Sequence, residues 1–428
     1  MQTLQQLCAG KLQGVTKLTL AEGLTEFPLE ILTLAESLEV LDLSNNQLSN
    51  LPDSFAQLSR LRVVFLSNNH FSVLPRVLSS CASLEMIGFK SNQITTVPAD
   101  AFPPKTRWLI LTDNRISQLP ESLGDCVQLQ KLMLAGNALT ALPQRIVECQ
   151  DLQLLRISAN DLIVFPDVLL KLPKLAWLAF AGNPFCASLK NDKAAVPKIS
   201  RDQLVLADIL GQGASGVIYR AGCLSAALPA TVAVKVFKGE VTSDGFPQDE
   251  LNACLKLKPH VNLVSPLAYV DDVDGRALVM ALIPEGYANL GLPPSLASCT
   301  RDTFAEGFVV SAAYIKTLFT QMQAVVASMH AQGFCHGDIY AHNVLHCVKN
   351  SDSSVEGREV RGHLLFGDLG AASELSFLSE YQQAALIKIE QRALGYFLAD
   401  LLSVHAPAQE DESFLLREFE NIVAHLTA

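Results

Sequence analysis

Polar and apolar positions along the first half of the chain repeat with a long, steady period. Seven asparagines, Asn46, Asn69, Asn92, Asn114, Asn137, Asn160 and Asn183, follow one another at steps of 23, 23, 22, 23, 23 and 23 residues. Each has apolar side chains five and three positions before it, from Leu41 and Leu43 to Leu178 and Phe180. Six have another two positions after, from Leu48 to Leu162, and these six units each carry an apolar–proline pair, from Leu51-Pro52 to Phe165-Pro166. A degenerate unit with Leu18, Leu20, Gly23 and Phe27-Pro28 stands 23 residues upstream. This alternation predicts one short strand per unit and an irregular return segment. A single unit cannot bury its leucines, whereas eight stacked units can. The asparagine amide is suited to bond backbone groups at the turn inside each coil. Proline suits a return segment that joins no ladder.

The pattern resembles the leucine-rich repeat over about residues 15–187. Its register assigns faces, because side chains between the buried leucines of a strand point the other way. Those outward positions include Val40, Val63, Phe65, Met86, Trp108, Ile110, Met133, Leu154 and Trp177, with fewer polar residues such as Asp42, Lys131 and Arg156. Both tryptophans of the chain lie on this stripe. An apolar, aromatic concave face is expected to hold a protein partner, through Phe65, Trp108, Ile110, Met133 and Trp177, or to dock against the chain's own second half. The register also places Cys81, Cys126 and Cys149 in the slot that holds Leu58 and Leu172 in other units, which predicts packed thiols.

Beyond Phe185 the period is lost and Lys, Ala and Pro accumulate, which predicts a linker at 188–200 between a solenoid at 1–187 and a second domain at 201–428. That domain opens with Gly211-Gln-Gly213-Ala-Ser-Gly216, and the segment after it, Val217 to Gly222, reads as a strand. Glycines between two strands suit a flap over phosphates rather than a dinucleotide turn, which needs a helix there. Val232-Ala-Val-Lys235-Val-Phe alternates as a strand with one embedded lysine. A lysine there requires a matching charge. Glu250, near the start of a helical stretch, is the natural carboxylate, with Asp249 as the alternative. Further on stand His336-Gly-Asp338 and Asn343, and thirty residues after Asp338 comes Asp368 in Gly-Asp-Leu-Gly.

Taken in this order, the motifs resemble the eukaryotic-type protein kinase fold over residues 205–400, so that the whole chain resembles a leucine-rich-repeat protein kinase. The expected fold is multidomain: an α/β repeat solenoid, then a two-lobed α+β kinase domain with a shortened C-lobe. The resemblance implies that Gly211, Gly213 and Gly216 close over ATP phosphates, and that Lys235 contacts them and pairs with Glu250. It implies that Asp338 takes the substrate hydroxyl proton and that Asn343 and Asp368 hold Mg²⁺. Ile218, Ala233, Met280 and Leu345 would line the adenine pocket. The expected activity is transfer of the ATP γ-phosphate to protein hydroxyls, Ser/Thr rather than Tyr. A pseudokinase scaffold that binds ATP is the rival, and a small-molecule kinase a weaker one.

Departures are specific. Gly337 stands where the resemblance leads one to expect arginine, leaving no cation to grip a phosphorylated activation loop. Tyr340 and His342 occupy the positions that mark substrate class. Only 21 residues separate Asp368 from Glu390, which is expected to open the central C-lobe helix. An extra polar loop is expected at 346–363.

Charge sharpens the division. Residues 1–200 carry 17 basic and 17 acidic residues, so the whole net charge of −11 belongs to the second half. An acidic chain argues against nucleic-acid binding. No run of about 18 apolar residues and no signal-like start occurs, and the ten cysteines form no CxxC pair. A soluble cytoplasmic protein with reduced thiols is expected.

Overall fold

A computed structural model describes residues 2–186, 196–213, 215–239, 241–272, 275–349, 361–406 and 412–428. The chain divides into two compact units, Met1–Leu175 with Asn183–Phe185, and Ala176–Gly182 with Cys186–Ala428.

The first unit begins with a short helix α1 (Leu4–Cys8), capped by Thr3 and Gln6. Seven three-residue strands follow: β1 (Lys17–Thr19), β2 (Val40–Asp42), β3 (Val63–Phe65), β4 (Met86–Gly88), β5 (Trp108–Ile110), β6 (Lys131–Met133) and β7 (Leu154–Arg156). Each is parallel to the next and in the register that the period predicts, as Leu41↔Val64 and Leu109↔Leu132 illustrate. The central apolar residue of each strand is buried, as at Leu41, Val64, Ile87, Leu109, Leu132 and Leu155.

The asparagines form a ladder from one unit to the next. Asn69 donates from Nδ2 to the carbonyls of Leu43 and Leu66, at 3.0 and 3.1 Å, and its Oδ1 accepts from the Leu48 amide at 2.9 Å. Asn92 and Asn160 repeat the arrangement. Each side chain thereby satisfies backbone groups of two consecutive coils, which buried N–H and C=O groups require. The residue before each asparagine adopts the left-handed conformation: Asn45, Asn68, Ser91, Asp113, Gly136, Ala159 and Gly182 all have φ between 53° and 76°.

The prolines do more than end a ladder. Pro28, Pro52, Pro75, Pro120, Pro143 and Pro166 each immediately precede a 3₁₀ segment on the return side. A fixed φ and a missing donor fit the start of such a turn. Cys81, Cys126 and Cys149 are buried at the ends of these segments. Burial pushes the Cys81 thiol up to about 11 and the Cys126 and Cys149 thiols up to about 12.

The stripe of outward positions is less open than the alternation alone predicts. Phe65, Trp108, Ile110 and Met133 are half-buried, but Val63, Met86 and Leu154 are buried. Met86 lies in register between Val63 and Trp108, and Phe65 overhangs Gly88, so the row packs side against side. The Lys131 ammonium sits 4.3 Å over the Trp108 ring.

The eighth strand, β8 (Trp177–Ala179), continues the repeat period but groups with the second unit. Ile199, expected in the linker, packs in the core of the second unit and donates its backbone N–H to the Tyr269 carbonyl; residues 187–195 lie outside the described residues.

That core underlies a five-stranded antiparallel sheet of β9 (Leu204–Gln212), β10 (Gly216–Cys223), β11 (Thr231–Phe237), β12 (Pro266–Asp272) and β13 (Gly275–Met280), in the order β12-β13-β11-β10-β9. Helix α2 (Pro247–Lys256) starts with proline in its first turn, where no partner for an N–H is needed. A helical region follows, with α3 (Ala312–Ala331), α4 (Glu380–Ser403) and α5 (Ser413–Thr427). Small sheets flank it: β14 (Ala288–Asn289), β16 (Val344–Lys349) and β17 (Arg361–Phe366), and the pair β15 (Phe334–Cys335) with β18 (Ser373–Glu374). The two strands of the predicted 346–363 loop reach to Lys349 and resume at Arg361; residues 350–360 lie outside the described residues. Among the described residues no helix is long and apolar enough to cross a membrane.

Candidate active site

The glycine-rich segment forms the hairpin between β9 and β10. Ile218 pairs with Gly211, and the Gly213 amide donates to the Gly216 carbonyl at 2.9 Å. The glycines serve different ends. A Cβ on Gly216 would lie 2.4 Å from the Val236 carbonyl oxygen, so the strand crossing itself demands glycine there. At Gly211 and Gly213 a Cβ would meet no protein atom within 4 Å, which leaves their backbone open to a ligand.

Lys235 lies on β11, paired with Ile218 on one side and Leu278 on the other. Its ammonium contacts the Glu250 carboxylate from α2 and stands 3.7 Å from Asp368 Oδ1. Burial works against the charge on Lys235, but Asp368 and Glu250 outweigh it and raise its pKa. The structure thus joins Lys235 to Glu250; Asp249, the alternative, is half-buried and not paired with Lys235, and desolvation lifts its carboxyl to about 6. Asp368 adopts the left-handed conformation, φ 55°, with Oδ1 accepting from the Gly370 amide at 3.4 Å. Ala233 and Met280 face each other in the register of β11 and β13, and Leu345 sits in β16.

Asn343 and Asp338 are coupled directly. Asn343 Nδ2 donates to Asp338 Oδ2 at 2.8 Å and to the Asp338 carbonyl at 3.0 Å. His336 is fully buried, stacked on Phe366 at 3.9 Å and bonded to the Gly367 carbonyl at 3.0 Å, which ties this loop to the segment carrying Asp368. The five polar residues predicted from sequence therefore fall into two linked groups, Lys235–Glu250–Asp368 and Asp338–Asn343.

Several supports were not visible in the motifs. Gly337 has φ +73°, and a Cβ on it would lie 2.7 Å from both the Ala371 and the Leu178 carbonyl oxygens. This is why no arginine stands there: position 337 has neither the backbone conformation nor the space for a side chain. The Gly337 amide instead donates to Glu390 Oε1 at 2.7 Å. Burial tends to raise the Glu390 carboxyl, but the His330 hydrogen bond and charge and the Gly337 amide outweigh it and hold its pKa low. His330, Cys335 and Glu390 bring potential ligand atoms within 4.8 Å of one another. Both Glu390 oxygens are engaged by nitrogen groups, and burial pushes the Cys335 thiol well up, so the cluster anchors the loop through hydrogen bonds.

Two expectations require correction. Glu390 does not open the central helix. Helix α4 begins at Glu380, behind a capping box of Ser379 and Gln382, and Glu390 lies inside it. The serine–glutamine spacing that marks this start is present in the sequence. Trp177, on a stripe expected either to hold a partner or to dock against the chain's own second half, is fully buried in the second unit and so offers nothing to an outside partner. Its ring stacks on Tyr340 at 4.5 Å, and its Nε1–H donates to the Ile339 carbonyl at 2.9 Å.

Residues 204–386 match the protein kinase domain family, and residues 23–71 and 36–94 match leucine-rich repeats. Among curated proteins none is significantly similar to the chain. Similar solved structures include a leucine-rich-repeat protein of Leptospira interrogans, 28% identical over 38% of this chain and 48% of that one, TM-score 0.32. The plant peptide hormone receptor RGFR1, in complex with RGF2, is 26% identical over 40% and 31%, TM-score 0.30. An internalin of Listeria monocytogenes is 19% identical over 41% and 46%, TM-score 0.33. The chain spans less than half the length of each of these. The family matches follow the order of units in the fold: a leucine-rich-repeat region at 23–94 precedes a protein kinase domain at 204–386.

Proposed function

We propose that the protein transfers the γ-phosphate of ATP to a protein hydroxyl, serine or threonine rather than tyrosine, and that its repeats recruit the protein partner. The observation that carries this reading is the joined arrangement of Lys235 with Glu250 and Asp368, beside Asp338 held by Asn343. Phosphoryl transfer needs positioning and charge neutralisation more than covalent chemistry, and these groups supply both. The open backbone at Gly211 and Gly213 fits the phosphates, and the lysine fits their charge. Asn343 and Asp368 offer oxygen ligands for Mg²⁺, which would neutralise charge on the phosphates. Asp338 accepts the hydroxyl proton. Ala233, Ile218, Met280 and Leu345 are the proposed adenine contacts. A cytoplasmic location, where ATP is supplied, belongs to this proposal.

On the first unit, Phe65, Trp108, Ile110 and Met133 remain the proposed partner surface, since all four are half-buried. Replacing Trp108 and Met133 by serine should abolish partner capture while leaving the repeat signal in circular dichroism intact. A short path favours the scaffold reading as the second one: α4 starts 12 residues after Asp368, leaving little chain for a substrate platform. Radiolabelled ATP with Mg²⁺ separates the two. Labelling by wild type and none by Asp338→Ala supports the enzyme; equal background labelling, with ATP still raising the melting temperature, supports the scaffold.

A further inference from the structure

The segment Trp177–Phe180 touches three elements of the second unit that bear on the proposed reaction. Trp177 stacks nearly parallel on Tyr340, with an interplanar angle of 8°, and its indole N–H donates to the carbonyl of Ile339, the residue just after Asp338. It also stacks on Tyr396 of α4 at 5.3 Å, and the Arg301 guanidinium lies 4.7 Å from the Tyr396 ring. The Leu178 carbonyl lies against Gly337. The Phe180 amide donates to Ser373 Oγ at 3.2 Å, in the strand that follows Asp368. Gly337 carries no side chain that could gather these pieces. The eighth repeat strand gathers them instead.

We propose that Trp177 is a positioning residue for the catalytic loop, so that the last strand of the repeat series orders Asp338 for phosphoryl transfer. This rests on the transfer reading given above. The indole fixes the 339–340 peptide by one buried hydrogen bond and fixes Tyr340 by stacking, and only Ile339 separates Asp338 from Tyr340. An N–H that leaves a buried carbonyl unpaired on removal has a large effect for its size. A residue that acts through Asp338 should change kcat and leave ATP affinity nearly intact.

The experiment uses the full chain with Trp177→Phe, which keeps a ring on Tyr340 but removes the N–H, and Trp177→Ala. Melting curves establish that each variant is folded. Expected is a fall in kcat of about tenfold for Trp177→Phe and about a hundredfold for Trp177→Ala, with KM for ATP changed less than about threefold. In parallel, hydrogen exchange of amides 336–343 should speed up about tenfold or more in Trp177→Phe. Unchanged kcat and unchanged exchange in both folded variants overturn the proposal. If wild type transfers no phosphate, exchange alone decides. Protection lost in Trp177→Phe then supports the positioning role, and protection kept overturns it. Should Trp177→Ala not fold, Trp177→Phe carries the test by itself.

Discussion

Placing a methyl group on Gly337 should destabilise the second unit by about 2–5 kcal/mol. The figure has two parts. A non-glycine residue at φ +73° costs about 1–2 kcal/mol. The added Cβ would also lie 2.7 Å from two carbonyl oxygens, those of Leu178 and Ala371, and overpacking of that kind costs about 1–3 kcal/mol. Gly333 provides the comparison, because its φ is +76° but a Cβ there would meet nothing within 4 Å. Gly333→Ala should therefore show the backbone cost alone, about 1–2 kcal/mol. The assay is urea unfolding of the full chain followed by helical circular dichroism, since the long helices α3, α4 and α5 all lie in the second unit. If Gly337→Ala loses no more than Gly333→Ala, the crowding argument is wrong. Gly337→Ala should also lower phosphoryl transfer, because the displaced residue is next to Asp338.

Removing the side chain of Asn92 by Asn92→Ala strands the Phe71 amide and takes one of two side-chain donors from each of the Leu66 and Phe89 carbonyls, which keep Asn69 and Asn114, so unfolding of the repeats should lose about 1–3 kcal/mol, read by equilibrium denaturation. Asp249 has a folded pKa of about 6 against 3.8 unfolded, so its contribution favours folding below pH 4 and is lost as pH rises through 6. Asp249→Asn should accordingly stabilise the chain at pH 7, by at most about 3 kcal/mol, with the gain vanishing near pH 4 in a pH series of melts. Cys126 and Cys149 should resist a thiol reagent at pH 8 in the native state, while exposed Cys8 reacts at once; equal rates on titration would contradict the packing role. Phosphatase treatment should leave any transfer activity unchanged, since position 337 offers no cation to a phosphorylated loop.

Much of this molecule can be read from the chain because its signals are local. The asparagine period sets the strands, and Leu41, Leu109 and Leu132 are buried where the period puts them. Lys235, Glu250, Asp338, Asn343 and Asp368 each sit in a short motif, and their spacing carries enough of the fold to bring them together. What escaped is non-local. Trp177 occupies the same register position as Trp108, yet only one of them is fully buried. Nothing within the repeat distinguishes the two, because the difference lies in Tyr340, 163 positions away in the chain. Gly337 likewise looked like a missing arginine until the Leu178 and Ala371 carbonyls supplied its reason. The start of α4 was legible in Ser379 and Gln382, but the resemblance drew attention to Glu390 instead.

The asparagine ladder also bears on how such a chain can change its length. The rungs from Asn69 to Asn160 use the same atoms and bond the coil before them, so whole modules of 22–23 residues could be duplicated or deleted there without any new kind of bond. That freedom stops at Ala176. The module after it is committed to the second unit through Trp177 and Phe180, and an extra copy inserted there would put a different strand beside Tyr340. Growth and shrinkage of the array, in natural variants or in engineered ones, is therefore confined to the modules upstream.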